Sequence, residues 1–173
     1  MVKVLDVLGV RVEMPTNHPI VLLRERNGDR YLPIWIGAAE ATAIAYAQQG
    51  IEPPRPLTHD LLGNVIAALG RSVTQVRVVD FREGTFFGEL AFDNGTTVSA
   101  RPSDAIALAV RVDIPVFVEE SVLAEAGIVI PDGDETDDGE GAPAAEDAED
   151  EVERFREFLD SVSPDDFGGE QKP

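Results

Sequence analysis

The chain has 173 residues, no cysteine and a formal net charge of −19. That length suits one ordinary domain with an appendage, and the missing cysteine excludes disulfides, thiol catalysis and Cys-ligated zinc. No apolar run approaches the ~20 residues of a membrane span. Met1–Asp6 lacks a signal-peptide pattern, so the expectation is a cytoplasmic protein without a membrane partner.

The charge is uneven. Residues 1–130 hold eleven basic and sixteen acidic side chains, a net of −5, whereas residues 131–173 hold three and seventeen, a net of −14. The first part reads as the folded domain. It uses arginine almost exclusively and shows no basic stripe of the kind that grips phosphate backbones.

In chain order, Val2, Val4, Leu8, Val10 and Val12 alternate as in a strand. Ile20–Arg26 and Tyr31–Ile36 read as a hairpin, with Asn27-Gly28 expected to supply positive φ angles. Ala38–Gln49 reads as an alanine-rich helix closed by Gly50. With Glu40 as its only charge, that helix suits a buried place or a subunit contact. Three prolines in Glu52–Pro56 make a stiff connector. Thr58 is then expected to cap a helix running to Leu69, with Gly70 as its stop. Val73–Phe81, Thr85–Phe92 and Thr96–Ala100 read as strands. Ser103 is expected to cap a helix over Asp104–Val112, and Pro115–Val118 reads as a short strand. Ser121–Ala126 adds a helical turn. The predicted class is α+β: mainly antiparallel strands with about three helices in a compact single domain, the order containing too few crossovers for a parallel doubly wound sheet. The alanine-rich helix and Trp35 are the expected homo-oligomer contacts.

From Pro131 the composition turns acidic, with Gly, Ala and Pro. Residues 131–150 are expected to be a disordered linker. Residues 151–173 are expected to carry a short amphipathic helix, whose stripe of Val152, Phe155, Phe158, Leu159 and Val162 could dock a protein partner or fold back on the domain.

Several chemistries lack their residues. The two lysines, Lys3 and Lys172, lie in no phosphate-cradling glycine loop. Gly-x-Gly-x-x-Gly, His-Glu-x-x-His and Gly-x-Ser-x-Gly are absent. Only His18 and His59 exist, too few for a multi-histidine metal site.

Polar residues at helix starts remain: Glu40; Arg55, Thr58, His59 and Asp60; Arg101, Ser103 and Asp104. Free N–H groups and a positive dipole end suit an anion there. Carboxylates drawn together from separate elements could instead hold Mg²⁺ or Mn²⁺. His59 could serve as a general base near neutral pH. The plainer alternative is that Thr58 and Ser103 cap, Asp60 and Asp104 face helix dipoles, and the arginines form internal pairs, Arg101 with Asp104 or Arg55 with Glu40.

Three stretches carry a resemblance. Leu32-Pro33-Ile34-Trp35-Ile36-Gly37 with Glu40-Ala41, Arg55-Pro56-Leu57-Thr58-His59-Asp60-Leu61, and Ala100-Arg101-Pro102-Ser103-Asp104-Ala105-Ile106-Ala107-Leu108-Ala109 resemble the bifunctional nuclease domain family, in the order that family shows. The resemblance covers about residues 1–130, and the acidic tail looks like an extension of bacterial members. It implies a compact, oligomeric α+β domain hydrolysing DNA and RNA with little sequence preference. On that reading Glu40, His59, Asp60 and Asp104 are the catalytic candidates, and Glu40, Asp60 and Asp104 the candidate ligands of a divalent metal. Arg55, Arg101 and Ser103 are the candidates for substrate binding. The alternative is a non-catalytic oligomeric scaffold whose acidic tail recruits a partner.

Overall fold

The computed structural model describes residues 1–130; the expectations for the linker and tail lie outside the described residues. The described elements, in chain order, are β1 (Val2–Glu13), β2 (His18–Glu25), β3 (Arg30–Trp35), α1 (Ala38–Gln48), α2 (Thr58–Ala68) and β4 (Val73–Arg82). They continue with β5 (Thr85–Phe92), β6 (Thr97–Ala100), α3 (Pro102–Val112), β7 (Val116–Glu119), α4 (Glu120–Ala126) and β8 (Ile128–Val129).

One eight-stranded sheet has the order β6-β5-β4-β7-β1-β2-β3-β8. Every neighbouring pair is antiparallel except β4 with β7, which run parallel through Val76–Val78 and Val116–Val118. The α+β class and the antiparallel bias of the sequence reading therefore hold. The central parallel pair has no signal in local patterning, because it joins segments far apart in the chain.

Helices α1 and α3 pack on each other; α1 rests on β1 and β2, and α3 on β4 and β5. Helix α4 touches both β3 and β4, which three strands separate in the sheet order, so the sheet is strongly curled. The core joins Val21, Leu23 and Leu32 to Val76, Val78 and Val118, closed by Ile44, Ile106, Leu108 and Leu123. Alternation supplies the strand members and helical spacing the rest. At the β1 bulge near Gly9, Gln48 Nε2 at the end of α1 donates to the Val7 carbonyl at 3.2 Å.

Three local expectations need correction. Asn27 and Gly28 do not take positive φ. The connection is a longer loop, and Gly28 serves there by lacking a side chain, since a Cβ would stand 2.3 Å from a Glu25 carboxylate oxygen. The left-handed pair sits instead at Glu83 (φ 51°) and Gly84 (φ 76°), between β4 and β5. Thr58 and Ser103 are not N-caps. Leu57 and Arg101 hold those positions, so Thr58 is the first helical residue of α2, and Pro102 takes that place in α3. Proline suits it because its missing N–H would have no helical acceptor.

Helix α1 turns Ala41, Ala43 and Ile44 inward. Helix α2 buries only His59, and Leu61, Leu62, Val65 and Leu69 stand exposed along it.

Candidate active site

Arg101 is the hub. It lies between β6 and α3, and its guanidinium spans two helices: Nε donates to Asp104 Oδ2 at 2.8 Å, and Nη2 donates to Glu40 Oε1 at 2.7 Å. Glu40 stands in the first turn of α1, its side chain folded back over Gly37. The other oxygen of Asp104, Oδ1, lies 3.0 Å from His59 Nε2, which comes from the first turn of α2. Three helix starts thus converge on a chain Glu40–Arg101–Asp104–His59.

The electrostatics follow from this chain. Burial acts to raise the Asp104 pKa, but hydrogen bonds from Arg101 and His59 outweigh it and hold the carboxyl below its ordinary value. Arg101 is raised by its hydrogen bonds to Asp104 and Glu40. Asp104 is therefore an anion at neutral pH that can orient the His59 imidazole. His59 is 8% exposed, and Ser103 beside the cluster is equally buried. The Arg101 side chain is 66% exposed.

Asp60 does not join this group. Its Oδ2 accepts from the Leu57 N–H at 2.9 Å, tying down the start of α2, and its Oδ1 pairs with Arg111 from the last turn of α3. Arg55 is exposed and forms no ion pair among the described residues; Glu40 pairs with Arg101 instead. The expected metal set Glu40, Asp60 and Asp104 is thus divided, and among the described residues no three His, Asp or Glu side chains are gathered to hold a metal ion.

An open cleft of about 430 Å³ adjoins the cluster. It is lined by His18 and the stretch Ile34–Gly37, by Gly84, Thr85 and Phe86 at the β4–β5 turn, and by Arg101, Pro102 and Ser103. Of the polar chain only Arg101 lines the cleft, with Ser103 beside it; Glu40, His59 and Asp104 are not among its lining residues. Arg111, Thr85 and Phe86 were not visible as site residues in the sequence. Arg111 had one signal, its place two helical turns after Asp104 on one face of α3. The β4–β5 turn had none.

This chain belongs to the bifunctional nuclease domain family, which it matches over residues 21–131, a span containing all four members of the polar chain. Among its relatives, an uncharacterized protein of Mycobacterium tuberculosis is 63% identical over 161 residues, covering 93% of this chain and 95% of that protein. Bifunctional nuclease 1 of Oryza sativa subsp. indica is 25% identical over 130 residues, 72% of this chain and 39% of the rice protein. Bifunctional nuclease 2 of Arabidopsis thaliana is 29% identical over 119 residues, 65% of this chain and 36% of that protein. The chain therefore spans well under half the length of these plant relatives. Among the described residues no helix is long and apolar enough to cross a membrane.

Proposed function

We propose that this domain hydrolyses phosphodiester bonds of DNA and RNA with little sequence preference, using the chain Glu40–Arg101–Asp104–His59. The observation that carries the reading is the junction of a histidine–carboxylate pair with an exposed guanidinium at the edge of a cleft. The family match and the names of the plant relatives supply the reaction class.

The two bonds from Arg101 to the carboxylates use Nε and Nη2. Nη1 is left for a phosphate oxygen, where a fixed guanidinium stabilises charge developing at phosphorus. The free N–H groups at the start of α3, around Ser103, add donors on the same side. His59 takes a proton from the attacking water and returns it to the departing oxygen as the P–O bond breaks. Asp104 fixes the orientation of His59, and Glu40 holds the far end of Arg101. Asp60 acts at one remove by anchoring the start of α2 to Arg111. Glu40 and Asp104 are also the oxygen donors that would face Mg²⁺ or Mn²⁺, an ion that polarises a phosphoryl oxygen when bound. Both already contact Arg101, so no step above passes through a metal.

The test is cleavage of single-stranded DNA, duplex DNA and RNA by purified protein in Mg²⁺, Mn²⁺ and EDTA. His59→Ala, Asp104→Asn and Arg101→Ala would be run beside it after checks of folding and mass. Loss of a general base should lower the rate by roughly 10²–10⁴-fold in His59→Ala. Full-strength cleavage by folded variants overturns the site, and no cleavage by wild type in any condition overturns the activity.

The outward apolar face of α2 favours a second reading, an oligomeric scaffold without catalysis. Its mark would be a protein that cleaves nothing yet falls in mass, by light scattering, when Val65 and Leu69 are both changed to Glu.

A further inference from the structure

We propose that the cleft takes one unstacked base of a single-stranded nucleic acid, with Trp35 as its stacking platform and Arg101 on the neighbouring phosphate. The proposal rests on the nuclease reading and names the form of substrate.

Trp35 ends β3 and is 56% exposed, unusual for so large an apolar side chain. Its ring is nevertheless fixed, because Nε1–H donates to Glu13 Oε2 at 3.0 Å. Glu13 is the register partner of His18, so the ends of β1, β2 and β3 build one wall together. Phe86 also lines the cleft, packed against the core and held by Phe81 at 4.4 Å between ring centroids. Gly84, in the same lining, brings no side chain, and a Cβ there would meet nothing within 4 Å.

A volume of about 430 Å³ lies in the lower part of the roughly 300–1,000 Å³ range of small-ligand sites. It fits a nucleotide and not a helix. An exposed indole and a guanidinium in one lining match a base and its phosphate, and stacking accepts any base. In a duplex both faces of each base are covered by neighbours, so a paired strand cannot present one to Trp35. Discrimination between single and double strands then comes from Trp35, while cleavage comes from the polar chain beyond Arg101.

Trp35 is the chain's only tryptophan, so its fluorescence reports on the cleft directly. The probes are a short oligodeoxynucleotide and the blunt-ended duplex it forms with its complement. They would be titrated into the full-length protein and into His59→Ala, which keeps bound strand intact. The single strand should quench to saturation at concentrations at least tenfold below any response to duplex. By anisotropy of a labelled strand, Trp35→Ala should weaken single-strand binding roughly 5- to 150-fold, the range that stacking of one base carries. Trp35→Phe should restore most of it.

Equal quenching by strand and duplex, or unchanged strand affinity in Trp35→Ala, overturns the proposal. So does a Trp35→Ala variant that changes only the mass of the protein, which assigns Trp35 to a contact between copies. Cleavage that keeps its strand preference in Trp35→Ala overturns this proposal and leaves the nuclease standing. Saturable, strand-selective quenching without cleavage by any form does the reverse.

Discussion

Gly63 sits inside α2, where glycine weakens a helix, and a Cβ built there would lie 3.5 Å from Leu108 Cδ1 and 3.6 Å from Val112 Cγ1. Those are ordinary van der Waals separations, so Gly63→Ala should fit without moving α2. Helix propensity contributes about 0.8–1.0 kcal/mol. A half-buried methyl against α3 adds up to about 0.4 kcal/mol. Together they predict stabilisation of about 1–1.4 kcal/mol. For 130 described residues the unfolding entropy is about 0.27 kcal/mol/K, so the melting temperature should rise by about 4–5 °C. Differential scanning calorimetry reads that rise, and a urea midpoint at unchanged slope confirms it. His59 and Asp104 should keep their contact, leaving cleavage kinetics as in wild type. A fall in melting temperature would mean that α2 lies closer to α3 than 3.5 Å allows, and the construction of the site from α2 would be wrong.

Four further outcomes follow from contacts described above. In Gly37→Ala the new Cβ would stand 2.2 Å from Glu40 Oε2. Because that atom ends a flexible side chain, the fold should survive while Glu40 leaves Arg101, seen in a crystal structure of the variant. Glu25 is buried and held below the ordinary carboxylate range by hydrogen bonding to Arg30, against the cost of burial and with help from Lys3. A depressed folded pKa gives stability that is present above the unfolded value and lost as pH falls through the carboxylate range. Urea midpoints should therefore drop between pH 6 and pH 3, and drop less in Glu25→Gln. Gly88→Ala should destabilise, since its Cβ would meet the Ala100 carbonyl at 3.1 Å and Pro102 Cα at 3.3 Å, where the backbone cannot yield cheaply. With Arg101 as the one proposed phosphate contact, log affinity for a single strand should fall with log salt at a slope of about −0.7; a slope several times steeper would reveal a basic track elsewhere.

How much of this was legible depended on whether the signal was local. The strand β1 and the glycine stops at Gly50 and Gly70, both with left-handed φ, could be read directly, although Val2, Leu8 and Val12 of the alternating set stand exposed and Leu5 is the buried member of β1. Polar residues at helix starts singled out Glu40, His59, Arg101 and Asp104, which the fold joins in one hydrogen-bonded chain. Their division could not be read, because Asp60 and Asp104 look alike in sequence and separate only when Arg111 arrives from the far end of α3. The Asn27-Gly28 pair misled for a different reason. A strong turn motif was used for space beside Glu25 rather than for its backbone angles. Pro102 displaced Ser103 from the cap because proline itself suits the first helical position.

The place of β7 has consequences for how the chain is made. The strands β1–β3 and β4–β6 can each pair locally as they emerge, yet β7 is what joins them, through Val116 to both Leu5 and Val76. Val2 meets Glu119, and the terminal amine lies 3.8 Å from the Glu119 carboxylate. The first strand of the domain thus waits for nearly the last one to be made. Closing so long a loop late is entropically slow and leaves two open sheet edges exposed meanwhile. Chains stopped short of residue 116 should accumulate as two unjoined meanders prone to edge pairing.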